Sequence, residues 1–348
     1  MSTTRLRAGL TRDFTSCDGT NNFDPQAWKK LEDSENLELH ILDQPPMAPI
    51  TRADAEQFDI LIIKRNPVTR AAILEDPGKK RDIRLKLIVR NGAGHDHIDV
   101  DACTDAGIMV ATTPQAVAFS VASSILALML ALAHRIPERD RLTRAGQWSR
   151  RWENPGMSLR GRTLGVVGLG NIGLELVRLA MPWQMRHLGY TPRPQPERYT
   201  NLNIEPGSLE TVLAESDFLA ICCPLTAKTR HLVNEATLRL MRPCTILINT
   251  ARGEIVDERA LAEALREGRI AGAGIDVFET EPPSARNPLF ELDNVILGSH
   301  NLAYTDELNR SANMASAELV LSYLAGRAPS TLINPEVMNR HRISMDGY

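Results

Sequence analysis

The stretch Thr163–Gly173, TLGVVGLGNIG, decides the fold of the chain around it. It begins as a short apolar run, which is typical of a buried strand. The residues GLGNIG then form a GxGxxG pattern, and a helical stretch, Ile172–Ala180, follows directly. A GxGxxG pattern is informative only between a strand and a helix, and both neighbours are present here. The sequence therefore predicts a tight strand–turn–helix unit.

This turn has the composition of a phosphate-binding loop. Gly168 permits the sharp bend, Gly170 lets the backbone approach a pyrophosphate, and Gly173 lets the helix pack against the strand. The unpaired N–H groups at the start of the helix carry a partial positive charge that favours phosphate. We therefore expect a dinucleotide to bind at Gly168, Gly170, Asn171, Ile172 and Gly173.

Short apolar runs recur on both sides of the turn, separated by polar or proline-containing stretches. The predicted strands are Leu37–Leu42, Ile60–Ile63, Leu85–Val89, Met109–Ala111, Met185–Tyr190, Phe218–Cys222, Thr245–Asn249, Ala273–Val277 and Val295–Leu297. The clearest helix, Glu258–Glu267, has Asp257 as its N-cap and Gly268 as its C-terminal stop. Alternating strands and helices predict parallel sheets with helices on both faces. We therefore expect an α/β fold with two doubly wound parallel-sheet domains of the Rossmann or flavodoxin-like kind.

One helix, over about 117–144, is expected to be unusually long and apolar. The run Ala116–Ala133 carries no charge, and the helical pattern continues through the charged stretch His134–Arg144. The run reaches the lower limit of membrane-spanning length. Its many Ala and Ser residues and its mid-chain position favour instead a helix buried in a core or a subunit interface, because a helix that is apolar all round needs cover on every side.

The bulk composition restricts the kind of protein. A chain of 348 residues suits two domains. With 43% hydrophobic and 24% charged residues, it matches folded rather than disordered proteins. Its net charge of −3 and the lack of a long basic run give no indication of binding to nucleic acid or to an anionic membrane.

The cysteines and the N-terminal sequence bear on the compartment. The five cysteines are an odd number, and their spacing fits neither a disulfide framework nor a zinc site, so we expect no metal. The segment Met1–Thr15 has arginines but lacks the apolar core of a signal peptide. A cytoplasmic protein is therefore the expectation.

The ribose end of the dinucleotide site departs from the usual pattern. In such folds an acidic residue about 20 residues beyond the turn binds the ribose 2′-hydroxyl of NAD. Here the strand Met185–Tyr190 ends in Thr191-Pro192-Arg193, with no acid. A carboxylate would repel a 2′-phosphate, whereas Thr191 and Arg193 can accept one, the arginine through charge-assisted hydrogen bonds. The sequence therefore favours NADP(H) somewhat over NAD(H).

Three polar residues follow apolar strand runs downstream of the turn. Arg252 follows one predicted strand, Glu281 closes the run AGIDVFETEPP, and His300 follows the last strand. Each alone has an ordinary structural explanation, but the carboxyl ends of strands in a doubly wound sheet border its ligand crevice. Reduction of a 2-keto acid needs a cation to polarise the carbonyl, an acid to protonate its oxygen and a carboxylate to orient that acid. Arg252, His300 and Glu281 can supply these functions in that order.

Several stretches resemble the D-isomer-specific 2-hydroxyacid dehydrogenase family, between about Leu85 and Glu307. They are NGAGHDHIDVDACTDAGI, VVGLGNIG, CCPLTAKTRHLVN, MRPCTILINTARGEIVDERALAEAL, GRIAGAGIDVFETEPP and NVILGSHNLAYTDE. The resemblance implies that Arg252, Glu281 and His300 are catalytic and that the substrate is a small 2-hydroxy or 2-keto acid. The further residues it assigns to the cofactor are Cys223, Pro224, Thr229, Thr250, Ala251 and Asp276, and those it assigns to the substrate carboxylate are Ala93 and Gly94, beside Arg252.

The resemblance also implies how the domains are connected. The NAD(P)-binding domain, residues 118–304, is inserted in a substrate domain made of residues 1–117 and 305–348. The helix over 117–144 corresponds to one with which this family builds twofold dimers. We therefore expect a homodimer that forms through this region of the chain.

The sequence departs from the family pattern at a few positions. The acidic residue usual near Ser120 or Ser123 is missing, and Gln184 replaces a common glycine. The residues after His300 are Asn301-Leu302-Ala303-Tyr304, which differ from the usual ones. These differences leave the chemistry intact and the identity of the substrate open.

Three functions remain open at this point. The loop at Thr191 is similar to that of NADP-using glyoxylate/hydroxypyruvate reductases, so reduction of such acids is the leading hypothesis. A short-form D-3-phosphoglycerate dehydrogenase is the second, because Lys64 and Arg65 can face a substrate phosphate, although they can equally be solvated strand-end charges. A dinucleotide-sensing, corepressor-like binding protein on the same fold is the third, since an intact triad does not exclude it.

Overall fold

The computed structural model describes residues 5–16, 18–74 and 83–340, so Cys17 lies outside the described residues. The chain divides into two compact units. The first unit comprises Met1–Val117 and Thr305–Tyr348, and the second comprises Ala118–Tyr304. Each contains a parallel sheet flanked by helices, which confirms the predicted α/β class.

The first unit has a fully parallel sheet. Its strands are β1 (Leu6–Leu10), β2 (Leu37–Ile41), β3 (Ile60–Ile63), β4 (Leu87–Arg90) and β5 (Met109–Thr112). Among the described residues the strand order is β2-β1-β3-β4-β5. Every residue of β3 and β4 is buried, because a parallel sheet covered on both faces excludes water from each side of its strands.

The C-terminal part of the chain completes the edge of this sheet. The fully buried side chain of Asn334 accepts a hydrogen bond from Val110 N at 2.9 Å and donates one to Ile108 O at 2.9 Å. Ile333 N also donates to Val110 O at 2.7 Å. The edge strand β5 is therefore bonded on its outer side by a segment 224 positions further along the chain.

The second unit has a longer parallel sheet. Its strands are β6 (Thr163–Val167), β7 (Arg186–Tyr190), β8 (Ile204–Pro206), β9 (Phe218–Ile221), β10 (Ile246–Asn249), β11 (Gly272–Ile275) and β12 (Val295–Leu297). Their order within the described residues is β12-β11-β10-β9-β6-β7-β8. The chain runs outward from β6 through β7 and β8, then returns to place β9 on the other side of β6. This reversal is the switch point at which doubly wound sheets bind ligands.

Strand register aligns the functional loops. The last residues of β6 and β9, Val167 and Ile221, are paired, and Asn249 of β10 pairs with Ile275 of β11. The loops that follow these strands therefore leave the sheet at one edge. Ile275 pairs in turn with Leu297, the last residue of β12, so the loop after β12 leaves at the same edge.

The helices lie between the strands, as the alternating pattern predicts. In chain order they are α1 (Pro25–Glu32), α2 (Arg52–Gln57), α3 (Arg70–Ile73), α4 (Val100–Ala106), α5 (Ala118–Ala133), α6 (Ile136–Arg144), α7 (Asn171–Ala180), α8 (Leu209–Glu215), α9 (Glu235–Leu238), α10 (Glu258–Arg266) and α11 (Asp306–Leu324). The predicted N-cap of α10 is confirmed, because the Asp257 side chain accepts from Ala260 N. Gly268, just beyond α10, has a left-handed φ of 67°.

The helix predicted over 117–144 is in fact two helices, α5 and α6, so the prediction of one continuous helix is wrong. The two meet at a bend of 54°. Arg135, between them, has a left-handed φ of 53°, and Pro137 stands at the start of α6. Because proline has no N–H, it cannot donate to the carbonyl of Ala133, which accepts from Met157 N at 2.8 Å instead.

The apolar run on α5 is largely covered by protein. Ala122, Ile125 and Met129 are fully buried in a core cluster that includes residues of β6 and α7. Within the described ranges no single helix is long and apolar enough to cross a membrane, and only α5 and α6 counted together across their bend reach that length and composition.

Candidate active site

The glycine turn between β6 and α7 leaves an open space at the start of the helix. A Cβ on Gly168, whose φ is 105°, would lie 2.6 Å from Cys223 N, and one on Gly173 would lie 2.2 Å from Gly168 O. A Cβ on Gly170 would meet nothing within 4 Å. Gly170 is also the N-cap of α7 and gives it no side-chain hydrogen bond. The first and third glycines are thus required by packing, whereas the second leaves room for a pyrophosphate at an uncapped helix start.

An arginine that the sequence analysis missed lies at the same helix start. Arg198 Nη2 donates to Asn171 Oδ1 at 2.6 Å. Thr191 follows β7 and is half-buried, whereas Arg193 is exposed and makes no hydrogen bond to the described residues. The composition of this loop shows more than one arginine but does not indicate which of them bonds to α7. A short turn at Pro196–Arg198 places Arg198 there.

The loop after β9 is closed on itself by a threonine. Thr229 Oγ1 donates to Pro224 O at 2.7 Å and accepts from Thr226 N at 2.7 Å. At its start, burial raises the pKa of the Cys223 thiol to about 11. This loop therefore brings a neutral thiol and a rigid backbone beside the glycine turn.

A buried asparagine shapes the turn after β10. Asn249 Oδ1 accepts from Ala251 N at 3.1 Å, and its Nδ2 donates to Arg252 O at 2.8 Å. Arg252 Nη1 donates to Ala251 O at 2.7 Å. Thr250 is half-buried in the same turn. Asn249 was not among the expected site residues, although an asparagine at a strand end is a known signal for such a turn.

The next residue, Gly253, packs directly against the loop that follows β11. A Cβ on Gly253 would lie 1.9 Å from the carbonyl carbon of Phe278, so no side chain fits there. Glu281, three residues beyond Phe278, accepts from Phe278 N at 3.1 Å through Oε1. The loop that carries Arg252 and the loop that carries Glu281 are therefore in backbone contact.

Glu281 and His300 form a direct side-chain contact. Glu281 Oε1 and Oε2 lie 2.9 and 3.0 Å from His300 Nδ1, and both side chains are about one-fifth exposed, at 20% and 23%. Since a carboxylate only accepts, Nδ1 carries the hydrogen of this contact. That arrangement leaves proton exchange with a bound molecule to Nε2 of the imidazole.

Asp276 fixes the backbone on which His300 stands. His300 N donates to Asp276 O at 2.7 Å, and the carboxylate accepts from Asn301 N at 3.2 Å and Leu302 N at 3.3 Å. Burial raises the pKa of Asp276, and the hydrogen bonds oppose that effect. His300 has a left-handed φ of 58°, a conformation that these bonds stabilise.

The expected substrate loop belongs to the first unit, after β4. Gly92 N donates to Thr113 Oγ1 at 2.7 Å, and Gly92 O accepts from Thr113 N at 2.9 Å. In the part of the chain that the structure describes, the N–H groups of Ala93 and Gly94 have no hydrogen-bond partner, and both residues are partly exposed. Two backbone donors are thus available at this loop.

Lys64 lies at the end of β3 in the same unit. Its Nζ is 4.8 Å from the centroid of the Phe14 ring, a cation–π contact. Burial lowers the pKa of Lys64, while the charge of Asp13 opposes this effect. Lys64 is therefore packed against an aromatic ring rather than fully solvated.

A doubly wound sheet with an open glycine turn and an acid–base pair at the same edge is the architecture of nicotinamide-dependent oxidoreductases. Residues 126–301 match the family model of the D-isomer specific 2-hydroxyacid dehydrogenase NAD binding domain. The chain belongs to the D-isomer-specific 2-hydroxyacid dehydrogenase family, whose members are oxidoreductases that act on CH–OH groups with NAD(P). The resemblance drawn from the sequence motifs is thereby confirmed.

Curated relatives and solved structures support this assignment. The chain is 36% identical over 323 residues to a glyoxylate reductase of Korarchaeum cryptofilum, with 92% of this chain and 96% of the relative covered. It is 38% identical over 277 residues to a D-3-phosphoglycerate dehydrogenase of Methanocaldococcus jannaschii, covering 79% and 52% respectively. The NADPH-dependent glyoxylate/hydroxypyruvate reductase of Sinorhizobium meliloti, solved with NADP and malonate, superposes with a TM-score of 0.77 at 28% identity, covering 96% and 98%.

Proposed function

We propose that the protein reduces glyoxylate, hydroxypyruvate or a similarly small 2-keto acid to the D-2-hydroxy acid. The observation that carries the proposal is the contact between His300 Nδ1 and the Glu281 carboxylate, since it prepares an imidazole to deliver a proton. The names of two relatives, one glyoxylate reductase and one glyoxylate/hydroxypyruvate reductase, support the choice of substrate.

The proposed roles follow from the chemistry of each group. The nicotinamide, when bound, supplies the hydride that adds to C2. Arg252 binds the substrate carboxylate and polarises the keto group through its planar guanidinium. His300 protonates the developing alkoxide from Nε2, while the contact with Glu281 keeps the ring in place. The available N–H groups of Ala93 and Gly94 bind the substrate carboxylate as well.

The cofactor residues are proposed on the same basis. The open space at Gly170 and the uncapped start of α7 support binding of the pyrophosphate by Gly168, Gly170, Asn171, Ile172 and Gly173. Further residues proposed to line the cofactor are Cys223, Pro224, Thr229, Thr250, Ala251 and Asp276. The Asp276 carboxylate already accepts from two backbone N–H groups, so a remaining lone pair would accept from the nicotinamide carboxamide.

We propose NADP(H) in preference to NAD(H). Thr191 and Arg193 lie directly after β7, at the position where an acidic residue would select the free ribose 2′-hydroxyl of NAD(H). Neither residue repels a 2′-phosphate. Arg198, bonded to Asn171, is a further cation near the pyrophosphate that both cofactors share. Thr191 and Arg193 are the residues that favour the more negatively charged cofactor.

The test is a substrate panel with both cofactors. Purified protein is assayed with NADPH and with NADH against glyoxylate, hydroxypyruvate, pyruvate and phosphohydroxypyruvate, and oxidation of the cofactor is followed by absorbance. We expect turnover of the small unphosphorylated acids, fastest with NADPH. Turnover of phosphohydroxypyruvate alone would identify a short phosphoglycerate dehydrogenase instead. Tight cofactor binding without turnover of any acid would identify a sensing protein.

We also propose a homodimer formed through the region 117–144 and the segment after it. Trp148 and Trp152 are 64% and 82% exposed, and Phe119 and Ile136 are exposed as well. All four residues come from one stretch of the chain, 119–152, and exposed apolar surface commonly marks a protein–protein interface. A second copy of the chain is the occupant that we propose for this surface.

A cytoplasmic location is proposed from the state of the cysteines. Cys103 and Cys223 are free and buried, in keeping with a reducing compartment, where thiols are rarely oxidised to disulfides. Cell fractionation with an antibody to the protein tests this location directly, and recovery in a secreted or membrane fraction would contradict it.

A further inference from the structure

Two glutamates outside the proposed triad join the start of α10 to the loop after β11. Glu258, the first residue of α10, donates its N–H to Glu279 Oε1 at 3.0 Å. Glu279 N donates in turn to Glu258 Oε1. Each carboxylate thus accepts the backbone N–H of the other residue, as in a capping box, but between segments far apart in sequence.

The second oxygen of Glu258 is also an acceptor. Asn287 Nδ2 donates to Glu258 Oε2 at 2.6 Å, while Asn287 Oδ1 accepts from Leu289 N at 3.0 Å. Because Leu289 N requires the oxygen of this amide, Asn287 cannot turn its amide over without losing a hydrogen bond. The donors around Glu258 therefore require a group that accepts at both of its side-chain oxygens.

Charge around Glu258 comes from the neighbouring loops as well. Burial raises the pKa of Glu258, and the charges of Glu279 and Glu281 add to this effect, while the accepted hydrogen bonds oppose it. His231 Nε2, from the loop after β9, lies 3.2 Å from Glu279 Oε1.

The backbone that Glu258 contacts is the backbone that supports the proposed acid–base pair. The peptide bond between Phe278 and Glu279 contains the N–H group that donates a hydrogen bond to Glu258 Oε1. The N–H of Phe278 donates to Glu281 Oε1 at 3.1 Å, and that oxygen lies 2.9 Å from His300 Nδ1. Gly253 packs against the same backbone on the side of the Arg252 loop. A shift of this peptide would therefore move the carboxylate that orients the imidazole.

We propose that Glu258 is a positioning residue that keeps the Glu281 carboxylate against His300. It acts through the backbone of Glu279 and touches neither substrate nor cofactor. The inference rests on the proposed function, in which His300 is the proton donor. Glu258 thus joins the three proposed catalytic residues as a fourth residue. Its negative charge and its two accepting oxygens determine how the Glu281 carboxylate lies against His300.

Exchange of the donor and the acceptor tests the inference. In Glu258→Gln, the new amide N–H faces the N–H of Asn287, so two donors meet. In Asn287→Asp, the new carboxylate faces the carboxylate of Glu258, so two acceptors meet. Each single variant therefore loses the hydrogen bond between residues 258 and 287. In the double variant Glu258→Gln/Asn287→Asp the introduced amide donates to the introduced carboxylate, and the contact returns with its direction reversed. Glu263→Gln, on the exposed face of the same helix, is the matched control.

We expect each single variant to lower kcat by roughly tenfold to a hundredfold, with an unchanged KM for the cofactor, because small displacements of reacting groups slow the chemical step. The double variant should recover most of that loss, and the control should keep the wild-type rate. Single variants with wild-type kcat would overturn the inference. So would a double variant that recovers thermal stability but not kcat, since Glu258 would then be structural only.

A second measurement does not depend on turnover. Nitrogen-15 NMR of labelled histidine follows the titration and the Nδ1 signal of His300 in each variant. We expect both to change in the single variants and to return in the double variant; unchanged signals in the single variants would overturn the inference. If the wild-type protein reduces no 2-keto acid, the proposed function fails, and this NMR comparison still decides whether Glu258 positions the Glu281–His300 pair.

Discussion

His300 and Glu281 lie 19 residues apart in sequence, yet His300 Nδ1 is 2.9 Å from Glu281 Oε1. The glutamate is fixed by the N–H of Phe278, and the histidine backbone is fixed by Asp276. The contact is therefore supported from both sides before any substrate binds. Such preorganisation is what a proton donor needs to act without a large rearrangement.

Loss of the proposed proton donor or cation should abolish most of the activity. We expect His300→Ala and Arg252→Ala each to lower kcat/KM for 2-keto acid reduction by roughly a hundredfold or more, as for a lost general acid or a lost polarising group. Arg266→Ala, on the exposed face of α10, is the control for removal of an arginine. Steady-state kinetics measure the effect, and a loss of less than about fivefold in either variant would contradict the assigned role.

The glycine turn predicts opposite effects for two substitutions. Gly170→Ser should leave the free energy of unfolding nearly unchanged, since serine is a good N-cap and the position is open, but should weaken NADPH binding because the side chain enters the phosphate space. Gly173→Ala should lower stability by about 1–3 kcal/mol, because its Cβ meets Gly168 O. Denaturant unfolding and isothermal titration calorimetry separate the two. Unimpaired NADPH binding in Gly170→Ser would remove the turn from the cofactor site.

The two arginines of the loop after β7 should differ in their effect on the cofactors. Arg193→Ala is expected to raise the Kd of NADPH far more than that of NADH, because only NADPH carries the 2′-phosphate. Arg198→Ala is expected to raise both by roughly tenfold, the usual value for one charged hydrogen bond, since its guanidinium is bonded at the start of α7 near the shared pyrophosphate. Calorimetric titration with each cofactor gives the four constants. Equal losses for both cofactors in Arg193→Ala would end the argument for a 2′-phosphate site.

The proposed dimer depends on exposed aromatic side chains. The double substitution Trp148→Lys/Trp152→Lys should convert a dimer to a monomer, because it replaces two large apolar surfaces with charges. Leu240→Lys, which alters an exposed apolar residue elsewhere in the second unit, is the control. Sedimentation velocity measures the mass of each variant. A wild-type protein that sediments as a monomer would contradict the proposal.

The buried thiols should be unreactive in the folded protein. Burial raises the pKa of Cys103 to about 12 and that of Cys223 to about 11. At pH 8 the reactive thiolate of Cys223 is then far scarcer than that of an ordinary cysteine. Mass spectrometry of peptides after iodoacetamide treatment should show slow alkylation at both, rising with pH and becoming fast in denaturant. Rapid native alkylation at either residue would contradict its burial.

The pattern of apolar and polar residues along the chain was sufficient to predict most strands of the two sheets. The strands Ile60–Ile63 and Val295–Leu297 match their predictions to the residue, since both are short uninterrupted apolar runs, which are typical of strands in parallel sheets. By contrast, β1 contains Arg7 and Gly9, and β8 has three residues and ends in Pro206, so neither has a strong strand signal. The break between α5 and α6 could have been foreseen from Pro137, which is tolerated only in the first turn of a helix.

The candidate site was predictable where residue type alone narrows the choice. An arginine, a carboxylate and a histidine that follow three strands suggest their chemistry because parallel strands end at one edge. The contacts that organise them could not be read in this way. Glu258 has the sequence of an ordinary helix start, and Arg198 that of a surface loop, because their partners are supplied by tertiary packing between distant segments.

The bonds between Asn334 and β5 have a consequence for biosynthesis. At about 5–20 residues per second, the ribosome needs roughly 10 to 45 seconds to translate the 224 positions that separate Val110 from Asn334. Residues 118–304 are complete before then and can fold as an independent body, while the N-terminal sheet still lacks its last edge. We therefore expect the newly made protein to pass through a stage in which β5 is already synthesised but the segment that bonds to its outer side is not.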